Sequence, residues 1–193
     1  MLNRRLSNCG RGVSLVELLI GISVLAILVM TAVPSFTGWL QNLQIRNSAH
    51  FILSGLQQTR AQAVQRNLNT ELVLLAQGVT PTAASVGNAG SVNGKNWLIR
   101  NFQANGVYTA ADFIAGQVGE AGSKNAFVNA GQATFVFNPL GRLLNPPATN
   151  ININVTSVVN YSNRRPMRVV VSTTGQVAMC DPNGSDASNP QFC

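Results

Sequence analysis

Residues 13–33 form a run of 21 residues with one charge, Glu17. As a helix the run would extend about 31 Å at ~1.5 Å per residue, enough to cross a bilayer core. Arg4, Arg5 and Arg11 precede it and no acid does. The positive-inside rule then predicts a cytoplasmic N-terminus, with the remainder of the chain across the membrane. A secretory signal peptide has a shorter apolar core followed by a small-residue cleavage site. Here the run is longer, and Ala26 and Ala32 lie inside it. A lipoprotein signal places its cysteine after the apolar stretch, whereas Cys9 comes before it. A plain membrane anchor explains the length but leaves Glu17 without a reason.

A carboxylate in an apolar helix is costly in lipid and is normally kept with a partner. Cleavage after Gly12 would give Val13 a new α-amino group, one helical turn from Glu17. A neighbouring subunit staggered by about one turn would set its amine against this carboxylate. Desolvated inside a bundle of such helices, the pair would set the axial register. The alternative is a glutamate that snorkels to the interface.

After the run, Pro34 and Gly38 interrupt the helical pattern, and a kink or local melting is expected. The simpler alternative is a helix that ends at Val33. The pattern then favours renewed helix. Ile45, Ala49, Ile52, Leu56 and Ala63 share one face, and Gln41, Arg46, Gln57, Gln58, Gln62, Gln65 and Arg66 cover the other. One helix over residues 13–66 would reach roughly 80 Å at ~1.5 Å per residue, apolar all round in its first half and amphipathic in its second. From residue 71 the signals are for strands: residues 71–76, 96–102, 133–137, 151–155, 167–172 and 177–180. Residues 138–141 and 172–176 read as tight turns. Residues 77–94 and much of 104–131 read as loop.

Charged residues make up only 10% of the chain, against about 25% in ordinary globular proteins. The net charge of +7 suggests nucleic acid at first sight. Three arginines of the first twelve residues contribute to it, and the remaining chain carries ten Lys+Arg against six acids, or +4. Cys180 and Cys193 bracket a Pro/Gly/Asn/Ser-rich stretch, which suggests a disulfide-closed loop in an oxidising compartment. Two free thiols are the alternative.

The stretch Gly10-Arg-Gly-Val-Ser-Leu-Val-Glu-Leu-Leu-Ile20 resembles the class III signal of type IV pilins and type II secretion pseudopilins. The resemblance implies cleavage by the prepilin peptidase after Gly12, N-methylation of Val13 and an assembly role for Glu17. Phenylalanine is commoner than valine at the first mature position. Pilin-like proteins also carry a proline where Pro34 stands. Thr134-Phe-Val-Phe-Asn-Pro-Leu-Gly-Arg142 and Arg168-Val-Val-Val-Ser-Thr-Thr-Gly-Gln-Val177 are similar to the mid-domain turn and closing hairpin of the GspH/FimT branch. The implied fold is α+β: a long N-terminal helix packed on a C-terminal antiparallel β-sheet domain. The implied division is a leader (1–12), a transmembrane or filament-core helix (13–33), its amphipathic continuation (34–70) and a periplasmic β-rich head (71–193). A C-terminal disulfide loop is common in that family.

Catalytic chemistry has no foothold in the sequence. His50 is the only histidine, and the three cysteines lack CxxC spacing, so neither a metal site nor a cofactor is expected. Asp112, Asp181 and Asp186 fall in expected loops, and no phosphate-cradling Gly-rich loop follows a strand. Arg164, Arg165 and Arg168 cluster before the last hairpin, and Arg142 sits at a turn. Some FimT-like proteins bind DNA through a Gly-Arg-x-Arg motif near the C-terminus. The matching stretch here, Gly175-Gln-Val-Ala178, has neither arginine. The basic cluster then reads as a solvated loop or a subunit contact. The expectation is a minor pilin, held in the inner membrane until it assembles with other pilins. A pseudopilin of a type II secretion system, a DNA-uptake receptor and a plain tethered binding domain are the alternatives.

Overall fold

The structure is a computed structural model that describes residues 12–119, 123–184 and 193; for residues 31, 32, 34 and 35 it describes the backbone but not the side chains. The leader expected over residues 1–12 lies outside the described residues except for Gly12, and so do residues 185–192 of the C-terminal loop. The helix α1 (Leu15–Arg66) runs for 52 residues. It is continuous through Pro34 and Gly38, so the chain neither ends its helix at Val33 nor melts there. One proline removes a single bond of the helical ladder, and the turns on either side carry the helix across. The chain divides into two compact units at Thr37/Gly38.

In the second unit α1 buries Ile45, Ala49, Ile52, Leu56 and Ala63 completely. Their spacing repeats the helical period, and Arg46, Gln57, Gln58, Gln65 and Arg66 lie exposed on the opposite face. Asn67 ends the helix in the left-handed region at φ 54°, and the Leu68 N–H donates back to the Ala63 carbonyl at 3.3 Å. Asparagine tolerates this conformation better than most residues, which makes it a natural stop.

Eight strands follow: β1 (Thr70–Leu75), β2 (Asn96–Asn101), β3 (Phe113–Gln117), β4 (Ala126–Ala130), β5 (Thr134–Phe137), β6 (Ile151–Ser157), β7 (Met167–Val171) and β8 (Val177–Cys180). They form two antiparallel sheets, ordered β3-β2-β1-β5 and β4-β6-β7-β8. Six strands match the expectation closely, while β3 and β4 correct the loop expected over much of 104–131. In β4 only Ala126, Val128 and Ala130 face inward, and two alanines make a weak apolar signal. In β3 the residues Phe-Ile-Ala-Gly-Gln do not alternate, because this edge strand is half-buried at its first four positions and its register with β2 shifts at Ile99/Arg100.

One core joins the buried face of α1 to the inner faces of both sheets, with Leu72, Trp97 and Phe135 from the first and Val128, Ile153 and Val169 from the second. A smaller cluster, Val73, Leu75 and Leu98 with Val79 and Phe113, covers the other face of the first sheet. Strand β1 is therefore buried at all six positions, as a strand packed on both faces must be. The two expected turns meet each other. Gly141 (φ 71°) and Gly175 (φ 83°) adopt the left-handed conformation, and a Cβ on Gly175 would stand 2.6 Å from the Gly141 carbonyl oxygen.

Candidate functional site

The apolar end of α1 is the first part of the site. Gly12 and Val13 precede the helix, and Val13 is 72% exposed. The Leu18 N–H donates to the Ser14 carbonyl at 3.1 Å, so helical bonding begins one residue beyond Val13. Glu17 lies in the first turn, where a carboxylate complements the positive end of the helix dipole. Leu15, Leu18, Leu19, Ile22, Leu25 and Leu28 are each more than half exposed. Among the described residues no helix is long and apolar enough to cross a membrane. The sequence run of 13–33 includes positions 31 and 32, whose side chains are not among those described.

The second part is where two loops dock on α1. Asn42 forms a clamp: its Oδ1 accepts the Tyr161 hydroxyl at 2.8 Å and the Arg165 backbone N–H at 2.9 Å, while its Nδ2 donates to the Asn163 carbonyl at 3.1 Å. Asn163 itself has φ 63°, which turns the loop toward the helix. Half a turn along, Gln44 Oε1 accepts the Asn125 N–H at 3.1 Å. Burial raises the Tyr161 hydroxyl pKa above its ordinary value of 10.0, and Arg164 pulls it back. Neither Asn42 nor Gln44 was marked by sequence reasoning, since a lone amide on a helix looks the same whether it faces water or a loop.

The expected basic cluster is divided by the fold. Arg164 and Arg165 are exposed on the β6–β7 loop, and one Arg164 Nη1 donates to the Ser157 carbonyl at 3.4 Å. Arg168 lies on β7, where its Nε donates to Asn154 Oδ1 of the paired strand at 2.8 Å. Cys180 and Cys193 are joined by a disulfide that ties the C-terminus to the end of β8.

A buried polar group outside these parts escaped the sequence. Arg100 Nε donates to Glu71 Oε2 at 2.7 Å across the β1–β2 pair, and the Tyr108 hydroxyl donates to the same oxygen at 2.8 Å. The guanidinium lies 3.5 Å from the centre of the Tyr108 ring and also donates to the Val86 carbonyl. An acid and an arginine inside otherwise apolar strands are the signal in the sequence for the pair. These contacts hold loops 76–95 and 102–112 over the first sheet. His50 is exposed on α1, and no group of three or more His, Cys, Asp or Glu residues lies together among the described residues.

A helix with an apolar first half and an amphipathic second half, packed on antiparallel sheets, defines a pilin-like subunit. The family model described as Type II transport protein GspH matches residues 48–175, well over half of the chain, and the chain belongs to that family. The match begins beyond the apolar run, so it is independent of the N-terminal motif. No curated protein sequence matches the chain. The type IV minor pilin FimU of Pseudomonas aeruginosa is similar in fold in two crystal forms. One has a TM-score of 0.55 at 14% identity, over 77% of this chain and 99% of FimU. The other has a TM-score of 0.52 at 15% identity, over 73% and 99%. The minor pseudopilin EpsH of the Vibrio cholerae type 2 secretion system gives a TM-score of 0.44 at 9% identity, over 73% of this chain and 99% of EpsH.

Proposed function

We propose that this chain is a minor pilin, a structural subunit that helps to prime a type IV pilus and acts by packing, without catalysis. The observation that carries the reading is the single charge, Glu17, in the first turn of a helix whose next turns expose almost only apolar side chains. Such a surface needs lipid or other helices as its surroundings. In this reading the prepilin peptidase cuts after Gly12, Val13 is N-methylated, and the subunit waits in the inner membrane with its head in the periplasm. Glu17 then meets the amine of a neighbouring pilin. The GspH family's description as type II transport favours a second reading, a pseudopilin of a type II secretion system. A DNA-uptake role has less support, because Arg168 is engaged with Asn154 and no arginine follows Gly175.

Deletion of the gene separates the two leading readings. Loss of surface pili with normal exoprotein secretion supports the pilus; the reverse supports the pseudopilus. Glu17→Ala tests the shared mechanism. The variant should still enter the membrane, because removing a charge eases insertion. It should be missing from sheared filaments or strongly reduced in them. Incorporation at the wild-type level would exclude the amine–carboxylate pairing. Intact mass of the native protein should show loss of residues 1–12 and gain of one methyl group.

A further inference from the structure

We propose that the outer face of the second sheet holds a binding groove for a neutral oligosaccharide, with Asn129, Asn152 and Asn154 among its principal contacts. In β6 the residues Ile151, Ile153 and Val155 are buried, so the alternation of a strand sends Asn152 and Asn154 to the opposite face. In β4 the residues Ala126, Val128 and Ala130 are likewise buried, and Phe127 and Asn129 are exposed. The register sets Asn129 directly opposite Asn154. Gly131 follows two positions after Asn129, and its N–H donates to the Asn152 carbonyl at 2.9 Å. A Cβ on Gly131 would meet its nearest neighbours at 3.5 Å, an ordinary contact, so crowding does not demand glycine there. Its missing side chain leaves a gap among the amides.

The gap is a groove of about 390 Å³, within the range of about 300–1,000 Å³ that small-ligand sites occupy. The β5–β6 connection adds Pro147, Thr149 and Asn150 to its lining, and the β4–β5 connection adds Gln132. Proline fixes its own φ, which stiffens that part of the lining. The fold orients two of the amides. Gln132 Nε2 donates to the Thr134 carbonyl at 2.7 Å, which leaves Oε1 to accept. Asn154 Oδ1 accepts the Arg168 Nε–H at 2.8 Å, which leaves Nδ2 to donate. Among the described residues the side chains of Asn129, Thr149, Asn150 and Asn152 make no hydrogen bond within the chain.

The lining selects the occupant. An amide carries donors on nitrogen and an acceptor oxygen with two lone pairs, and a sugar hydroxyl both donates and accepts. Neighbouring hydroxyls of one sugar ring therefore match a set of fixed amides. Most small-ligand sites are predominantly apolar. Here the apolar lining is Pro147 and Ile151, and Ile151 is only 6% exposed, so an apolar ligand would gain little. Nucleic acid and other polyanions need cations, and no charged side chain lines the groove. An extended peptide adds to an unpaired sheet edge and seats alternate side chains in pockets. Asn152 and Asn154 stand on β6, which is paired on one side with β4 and on the other with β7. Phe127, 37% exposed, lies two positions from Asn129 on the same face of β4, where the C–H face of a further sugar ring can cover it.

The test exposes the full chain, in a zwitterionic detergent without a sugar headgroup, to a printed array of neutral glycans, acidic glycans and extended peptides. Retention on neutral glycans is expected, and salt should not reduce it. Asn129→Ala combined with Asn152→Ala should weaken it about tenfold, the loss of two ordinary hydrogen bonds. Asn150→Ala, in a loop where no strand depends on it, should weaken it about threefold by itself. Asn160→Ala, exposed on the β6–β7 loop outside the groove, should leave it unchanged. Circular dichroism checks that each variant is folded. Absence of retention on every neutral glycan, or full retention by the folded variants of the groove, would overturn the proposal. Retention confined to acidic glycans or to peptides, and lost in the double variant, would assign the groove to those ligands and overturn it too. Either result leaves the reading of Glu17 untouched, since the groove is built from the second sheet and its connections.

Discussion

Gly55 shows how one residue is decided by two opposing terms. It sits on the core face of α1, where a Cβ would stand 2.7 Å from Trp97 Cε2. Trp97 has little room to yield, since its indole N–H donates to the Phe51 carbonyl at 3.2 Å and its ring lies 5.6 Å from that of Phe51. Alanine is the better helix former by about 1 kcal/mol. Overpacking a filled core costs about 1–3 kcal/mol, so Gly55→Ala should lower stability on balance. Urea unfolding of the detergent-solubilised chain measures this, and a stabilised variant would show that Trp97 can move aside. Tyr108 supplies a pH-dependent term. Burial raises its hydroxyl pKa above 10.0, and the hydrogen bond to Glu71 and that residue's charge add to the rise, against smaller opposing effects of Arg100 and the Gln103 backbone. The folded chain thus holds this proton more tightly than the unfolded chain. The associated stability is complete below pH 10 and is lost as pH climbs through the raised value. Burial raises Tyr161 in the same direction, so both contribute in that window. Tyr108→Phe should reduce the alkaline loss above pH 10 without abolishing it, and should cost about 1 kcal/mol at neutral pH for the missing hydrogen bond. An unaltered alkaline slope in the variant would show that Tyr108 is not the group responsible.

At the scale of elements, the C-terminal segment depends on a covalent tie. The disulfide closes a loop with a sequence separation of 13 at the end of β8. Cross-linking a loop of about this length restricts the unfolded chain and contributes about 2–3 kcal/mol. Cys180→Ser or Cys193→Ser should lower the unfolding free energy by that amount, measured in urea without reductant. Thiol labelling of the processed protein under denaturing, non-reducing conditions should find no free cysteine. Two labelled thiols would remove both the tie and the argument for an oxidising compartment. The edge strand β3 and the alanine-bounded β4 mark where element prediction from periodicity fails. Period-2 alternation needs one buried and one exposed face, and β3 is half-buried at four of its five positions.

At the scale of the whole molecule, the division at Thr37/Gly38 separates the two kinds of surface that α1 presents. The core residues of α1 begin at Ile45, within the unit that starts at Gly38. A fragment beginning at Gly38 should therefore fold alone and retain the Asn42 clamp. Circular dichroism with a cooperative thermal transition is the check, and an unfolded fragment would mean that the first part of α1 contributes to the head.

The sequence by itself determined the helix, its inward face and six of the eight strands, because these are written in local periodicity. It also marked the turns at Gly141 and Gly175, which need a left-handed residue, and the two cysteines that pair. Only the tertiary structure divided the strands into two sheets, placed β3 and β4, and buried Glu71 against Arg100. It alone joined Asn42 to Arg165, 123 residues away, and Gln44 to Asn125, 81 residues away. The physical reason is the range of the information. A helical face or a turn depends on residues three or four apart, whereas a clamp such as that of Asn42 exists only after the sheets close and bring a remote loop onto the helix.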